Sequence, residues 1–145
     1  MGQTISGLNT DNSTKYWKIT NEKEKHHGFQ YQTGLNVDTN TFQKEGTCVP
    51  NGLYFSDSEN IHNFLDYGVW IREVFIQDDA QMVQDPDKYQ IKYRADKLIL
   101  GKRYSFFDIE VLKQIPALYK YSSTLANRAA AYGKLDTLRW IRANG

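Results

Sequence analysis

The chain of 145 residues has one cysteine, Cys48, and three histidines, His26, His27 and His62. A lone thiol cannot form an internal disulfide, and this usage fits a reducing, cytosolic compartment. Zinc sites draw on ligand pairs at short spacing, and none is present here, so no metal is expected. Cys48 stands beside Pro50 and Asn51 without the signature of an activated thiol; it reads as a half-buried structural residue. Charge of one sign is also lacking. Eighteen Lys and Arg against seventeen Asp and Glu leave a net charge of +1. Nucleic-acid binding needs a strong basic excess to neutralise phosphates, so it is not expected as the main role. No apolar run approaches the roughly 18 residues of a membrane span, and no signal peptide is visible.

What is abundant is aromatic surface. Aromatics make up 14% of the chain, with ten tyrosines and seven phenylalanines, against a hydrophobic content of 40%. A few large rings therefore do the burial that many aliphatics do elsewhere. The length suits one domain plus a small appendage, with a core that needs no disulfide or metal. Residues 1–14 are small and polar and read as a flexible arm. That arm opens Met1-Gly2-Gln3-Thr4-Ile5-Ser6, the M-G-x-x-x-[ST] pattern for myristoylation of Gly2. No polybasic run follows to supply a second membrane signal, so membrane contact is expected only if Gly2 is acylated.

Residues 15–105 read as an α+β domain with a mixed or antiparallel sheet and one amphipathic helix. Tyr16–Thr20 alternates as a strand does; Gly28-Phe29-Gln30-Tyr31 and Gly52-Leu53-Tyr54-Phe55 each lead from a glycine into a short aromatic strand. Ser56-Asp57-Ser58-Glu59 has the character of a helix start, and Ile61, Phe64 and Leu65 then share one helical face up to Gly68. Val69 to Ile76 is β-branched and aromatic throughout except at Arg72 and Glu73, and is expected near the middle of the sheet. Gln81–Gln84 forms a shorter strand, and Tyr89–Tyr93 with Ala95–Tyr104 a further extended pair.

From Phe106 the period turns helical, which places a boundary near 105 and a helical region over 106–145. Its last part, about 123–145, runs Ala129-Ala130-Ala131-Tyr132-Gly133-Lys134-Leu135-Asp136-Thr137-Leu138-Arg139-Trp140-Ile141. That pattern resembles the two-helix part of an ankyrin repeat, with small residues for close packing and glycine for the turn. The ordered blocks Tyr16–Asn21, His27–Tyr31, Gly34–Val37, Cys48–Phe55, Tyr67–Val74 and Leu98–Tyr104 resemble the amino-terminal domain of mimivirus-type giant-virus ankyrin-repeat proteins. The resemblance implies a viral scaffold or interaction protein in the host cytoplasm or the virion, with a host or viral protein as partner. It carries no catalytic residues and no cofactor. Tyr132 and Trp140 are the candidate contact residues, with buried packing as the alternative for each.

An enzymatic alternative rests on Gly52-Leu53-Tyr54-Phe55-Ser56, which resembles the G-[LI]-Y-F-[AS] stretch of ADP-ribosyltransferases. That resemblance implies NAD binding, with His27 on an early strand, Tyr54 stacked on nicotinamide and Glu73 supporting the ribose. The competing reading makes Tyr54 part of the sheet and Glu73 the partner of a nearby arginine.

Overall fold

A computed structural model describes residues 14–46 and 51–145 of the chain. The expectations for Gly2, for Cys48 and for residues 1–13 of the arm lie outside the described residues. The first half holds β1 (Tyr16–Thr20), β2 (Lys25–His26), β3 (Phe29–Gln30), β4 (Gly34–Val37) and β5 (Leu53–Asp57). A 3-10 helix, Ile61–Tyr67, leads to β6 (Trp70–Phe75), β7 (Met82–Gln84), β8 (Tyr93–Ala95), β9 (Lys97–Leu100) and β10 (Tyr104–Ser105). Four helices close the chain: α1 (Ile109–Gln114), α2 (Ala117–Lys120), α3 (Thr124–Ala131) and α4 (Leu135–Asn144).

Eight strands form one sheet in the order β4-β9-β6-β1-β5-β8-β7, with β10 also on β6. Every pairing among the described residues is antiparallel. The β-branched run at β6 lies near the centre of the sheet, between β1 and β9. Two expectations are corrected. The first concerns Ser56–Glu59, read as the start of an α-helix. Strand β5 continues through Asp57, which pairs with Tyr16, and its carboxylate accepts hydrogen bonds from Asn60 and the Tyr93 hydroxyl. The helix therefore begins only at Ile61 and is of the 3-10 type, with Ile61 and Leu65 buried.

The second concerns residues 89–104, read as two extended segments paired with each other. Strands β8 and β9 are instead successive halves of one strand bent at Asp96. The first half bonds to β5 and the second to β6, and those two strands flank β1 on opposite sides. The path β5-β1-β6 thus begins and ends on the same strand, and the sheet closes as a small barrel does. The bend also changes which residues face inward. Ala95 and Leu98, three apart, belong to the same core, where a regular strand alternates every two. Asp96 is held on both sides: its N–H donates to the Gln81 carbonyl at 3.0 Å, and its own carbonyl accepts from Asp38 N–H at 2.8 Å.

Closure gives the sheet two cores. Tyr31, Leu53, Phe55, Val74, Ala95, Leu98 and Leu100 fill the enclosed side. On the outer side Trp17, Ile19 and Ile71 pack with Phe106, Leu112, Leu118, Leu125 and Ile141 of the helical region. The alternation of β1 divides its residues between the two sides, Trp17 and Ile19 outward, Lys18 and Thr20 inward. The Asp108 carboxylate caps α1 by accepting from Glu110 N–H, and Pro116 starts α2. Gly133, at φ 70°, makes the turn from α3 to α4, a conformation that costs glycine least. Gly68 answers a different need: a Cβ there would stand 1.9 Å from the Thr20 carbonyl oxygen.

Candidate functional site

The three residues of the enzymatic alternative come from two parts of the fold. His27 and Gly28, at φ 51° and 81°, are the two turn residues between β2 and β3, as a type I′ hairpin turn demands. The His27 side chain is exposed there, on a two-stranded sheet separate from the main one. Tyr54 on β5 and Glu73 on β6 are half-buried and share the outer face of the sheet, because Trp17 stands opposite both Ser56 and Glu73. Between them lies β1, whose outward residues Trp17 and Ile19 are 1% and 5% exposed. The ground between Tyr54 and Glu73 is occupied by packed side chains. Burial raises the Glu73 pKa, with the Lys15 charge opposing it. The arginine beside it does not pair with it: Arg72 points to the other face.

That other face holds a cluster the sequence did not announce. Arg72, 4% exposed, donates from Nε and Nη2 to the two carboxylate oxygens of Glu24, each at 2.8 Å. Its Nη1 donates to the Thr33 hydroxyl at 2.7 Å and to the Gly101 carbonyl at 2.8 Å. Glu24 also accepts from the Thr20 hydroxyl at 2.8 Å and from Arg103 at 3.3 Å. Its backbone adopts φ 55°, rare for a residue with a side chain. Burial alone would raise the Glu24 pKa, but the hydrogen bonds from Arg72 and Thr20 and the Arg72 charge outweigh it, and the net shift is downward. A fork-to-carboxylate pair with its remaining donors satisfied is the arrangement that tolerates burial. Because Glu24 lies just before β2 and also bonds through its carbonyl to Tyr31 N–H at 2.8 Å, the pair fastens the β2–β3 hairpin to the barrel.

Lys18 shares this interior, and among the described residues no carboxylate pairs with it. Its ammonium donates to the Tyr54 carbonyl at 2.5 Å and lies 4.3 Å from the centre of the Tyr31 ring. Burial lowers its pKa from 10.5 to about 7. His26 is lowered to about 4 by burial and then by the Lys18 and His27 charges, while its Nε2 accepts from Asn21 N–H at 3.1 Å. Burial likewise raises the Tyr31 hydroxyl pKa.

At the seam between the 3-10 helix and the α2–α3 link lies a cleft of about 290 Å³, lined by His62, Asp66, Tyr121, Ser122 and Thr124 among others. His62 packs its ring on Tyr121 at 5.4 Å and leaves its shielded Nδ1 without a partner. Across the same seam Arg128 donates to the Leu65 carbonyl at 2.6 Å and pairs with Asp66. Among the described residues no three His, Cys, Asp or Glu side chains gather in a way that could hold a metal ion.

The helix pair α3–α4 is two-sided. Leu125, Ala129, Thr137 and Ile141 are buried, and the Thr137 hydroxyl donates to the Phe107 carbonyl at 2.7 Å. Tyr132 and Leu135 stand out at 69% and 55% exposure. Trp140 is half-buried and meets the Tyr119 ring edge-on at 5.3 Å, so it helps hold the pair to α2.

These features define a closed antiparallel α+β domain carrying a terminal helix pair. No protein-family model matches the chain, and no solved structure does. Curated relatives do. Ankyrin repeat protein R868 of Acanthamoeba polyphaga mimivirus is 34% identical over 137 residues, which cover 91% of this chain and 68% of that protein. Ankyrin repeat protein R229 of the same virus is 36% identical over 129 residues, 79% of this chain but only 42% of its own length. Protein R869 of that virus is 41% identical over 103 residues, 68% of this chain and 72% of the relative. The chain belongs to the mimivirus-type ankyrin-repeat protein family.

Two outcomes test the buried cluster. Arg72→Met leaves the Glu24 carboxylate buried and short of its main partner, and is expected to cost about 3–5 kcal/mol in urea unfolding, with Glu24→Gln/Arg72→Met together costing less than the single change. For Lys18 the folded pKa lies below the unfolded one, so the unfolded chain binds more protons between about pH 7 and 10. Stability should therefore rise with pH from about 7 to about 9. Lys18→Met should flatten that rise in unfolding curves taken across the window.

Proposed function

We propose that the chain is a protein-interaction module in which the closed sheet is a rigid base for an ankyrin-like helix pair. The observation that carries this reading is the two-sidedness of α3–α4. One face is spent on the core shared with the sheet, through Leu125 and Ile141, and the other leaves Leu135 and Tyr132 to solvent. Ankyrin-type units cannot bury a face alone and gain stability from a neighbour on each side. Here the domain supplies the first neighbour. The free face is open to a further repeat or to a protein partner, host or viral, in the host cytoplasm or the virion. Relatives named as ankyrin repeat proteins, some with much of their length beyond the matched part, support this use of the fold.

The test is a comparison of the wild-type chain with a Tyr132→Ser/Leu135→Glu variant as bait in lysate of infected host cells. Both changes fall on exposed residues, so the two proteins should melt alike by circular dichroism. The reading expects a partner held by the wild type and lost by at least about tenfold in the variant. A partner held equally by both would show that this face is not the binding surface.

A further inference from the structure

We propose that the end of the barrel carrying Tyr67, Val69 and Trp70 is a docking surface for an anionic lipid bilayer. The exposed apolar residues come first. Tyr67 and Val69 flank Gly68 on the segment entering β6 and are 57% and 40% exposed. Trp70 follows, half-buried, with its indole N–H donating to the Glu22 carbonyl at 3.2 Å. Such rings, apolar in body and polar at one tip, settle at the headgroup level of a membrane.

Cations are then gathered around them from distant parts of the chain. Strand β10 pairs with Trp70 and Ile71, so the segment just before it carries Arg103 to the indole, while its neighbour Lys102 lies over Tyr104 instead. The Arg103 guanidinium lies 4.1 Å from the Trp70 ring, and the exposed Lys102 places its ammonium 5.1 Å from the Tyr104 ring. The turn after β1 adds Lys23, exposed, because Val69 N–H donates to the Thr20 carbonyl at 2.9 Å and Arg103 bonds Glu24. The neighbouring acids cancel part of this charge: Glu24 is buried and shared by Arg72 and Arg103, Asp66 is paired with Arg128, and Glu22 and the half-buried Glu73 remain. This end of the barrel thus keeps a small cationic excess, drawn from Lys23, Lys102 and Arg103.

The chemistry favours a bilayer over an acidic peptide. Tyr67 and Val69 protrude from a turn between two elements, and a flat surface needs no groove to receive them. Long cationic side chains reach headgroup phosphates while their stems lie on apolar surface. Among the described residues no helix is long and apolar enough to cross a membrane, so the contact is peripheral.

Co-sedimentation of the full chain, made without acylation, with vesicles of phosphatidylcholine alone or with about 30% phosphatidylserine tests this. The expected result is sedimentation that requires phosphatidylserine, weakens as salt is raised from about 50 to 300 mM, and falls at least about tenfold in Lys23→Glu/Lys102→Glu. Tyr67→Ser/Val69→Ser should also weaken it, while Lys134→Glu on the helix pair should not. Thermal melts establish that each variant is folded. Absence of lipid-dependent sedimentation by the wild type, equal binding by the charge-reversed variant, or binding to a poly-glutamate peptide without binding to vesicles would each overturn the proposal.

Discussion

The bend at Asp96 is the constraint on which the rest of this structure depends. A straight strand through residues 93–100 would serve one side of β1 only. Bending lets its first half bond β5 and its second half β6, so that a short run of backbone closes the sheet. Closure creates an inside, and the inside has to be filled. At one end rings and aliphatics do so, with Tyr16, Phe55 and Tyr93 meeting edge-on or stacked at 5.3–5.8 Å. At the other end the filling is ionic: Arg72 of β6 and Thr20 of β1 meet Glu24, which the chain supplies just before the β2–β3 hairpin.

That ionic end has a physical logic of its own. A buried guanidinium is tolerable when every side of it is met, and Arg72 finds a carboxylate, a hydroxyl and a carbonyl from three separate segments. Its value is specificity of arrangement as much as stability, since hydrophobic replacements of such pairs are often no less stable. Glu24 can meet Arg72 only if the chain turns sharply after β1, and its positive φ belongs to that turn. Lys18 is the less satisfied neighbour, with a carbonyl and a ring in place of a counter-ion. The outer face then takes the helices, whose Leu112, Leu118 and Leu125 join Trp17 and Ile71 in one apolar layer.

The central strand and the helical end were legible in the sequence because each is long and strongly patterned: β6 is dense in β-branched and aromatic residues, and α3–α4 shows alanine spacing with a turn glycine. The bend was not. Asp96 looks like any polar residue between two strand-like runs, and the only trace of it is that Ala95 and Leu98 are three apart rather than two. The buried cluster was hidden for a related reason. Lys18 and Thr20 alternate with Trp17 and Ile19 as on a half-solvated strand, and only closure turns that polar side inward. Glu73 was read beside a nearby arginine, yet neighbours in a strand point to opposite faces, and Arg72 turned to Glu24 instead. The helix expected from Ser56 gave way to β5, because pairing of Asp57 with Tyr16 extends the strand past the cap signal.

The sheet, the hairpin and the helix pair are accordingly one mechanical unit, and this unity makes the terminal helices a fixed platform rather than a loose appendage. Native-state hydrogen exchange in increasing urea measures it directly. The account predicts that the amides of Leu125 and Ile141 in the helix pair open with the same free energy and the same urea dependence as those of Ile71 and Leu98 in the sheet. Opening of α3–α4 at much lower urea, with the sheet still protected, would contradict it.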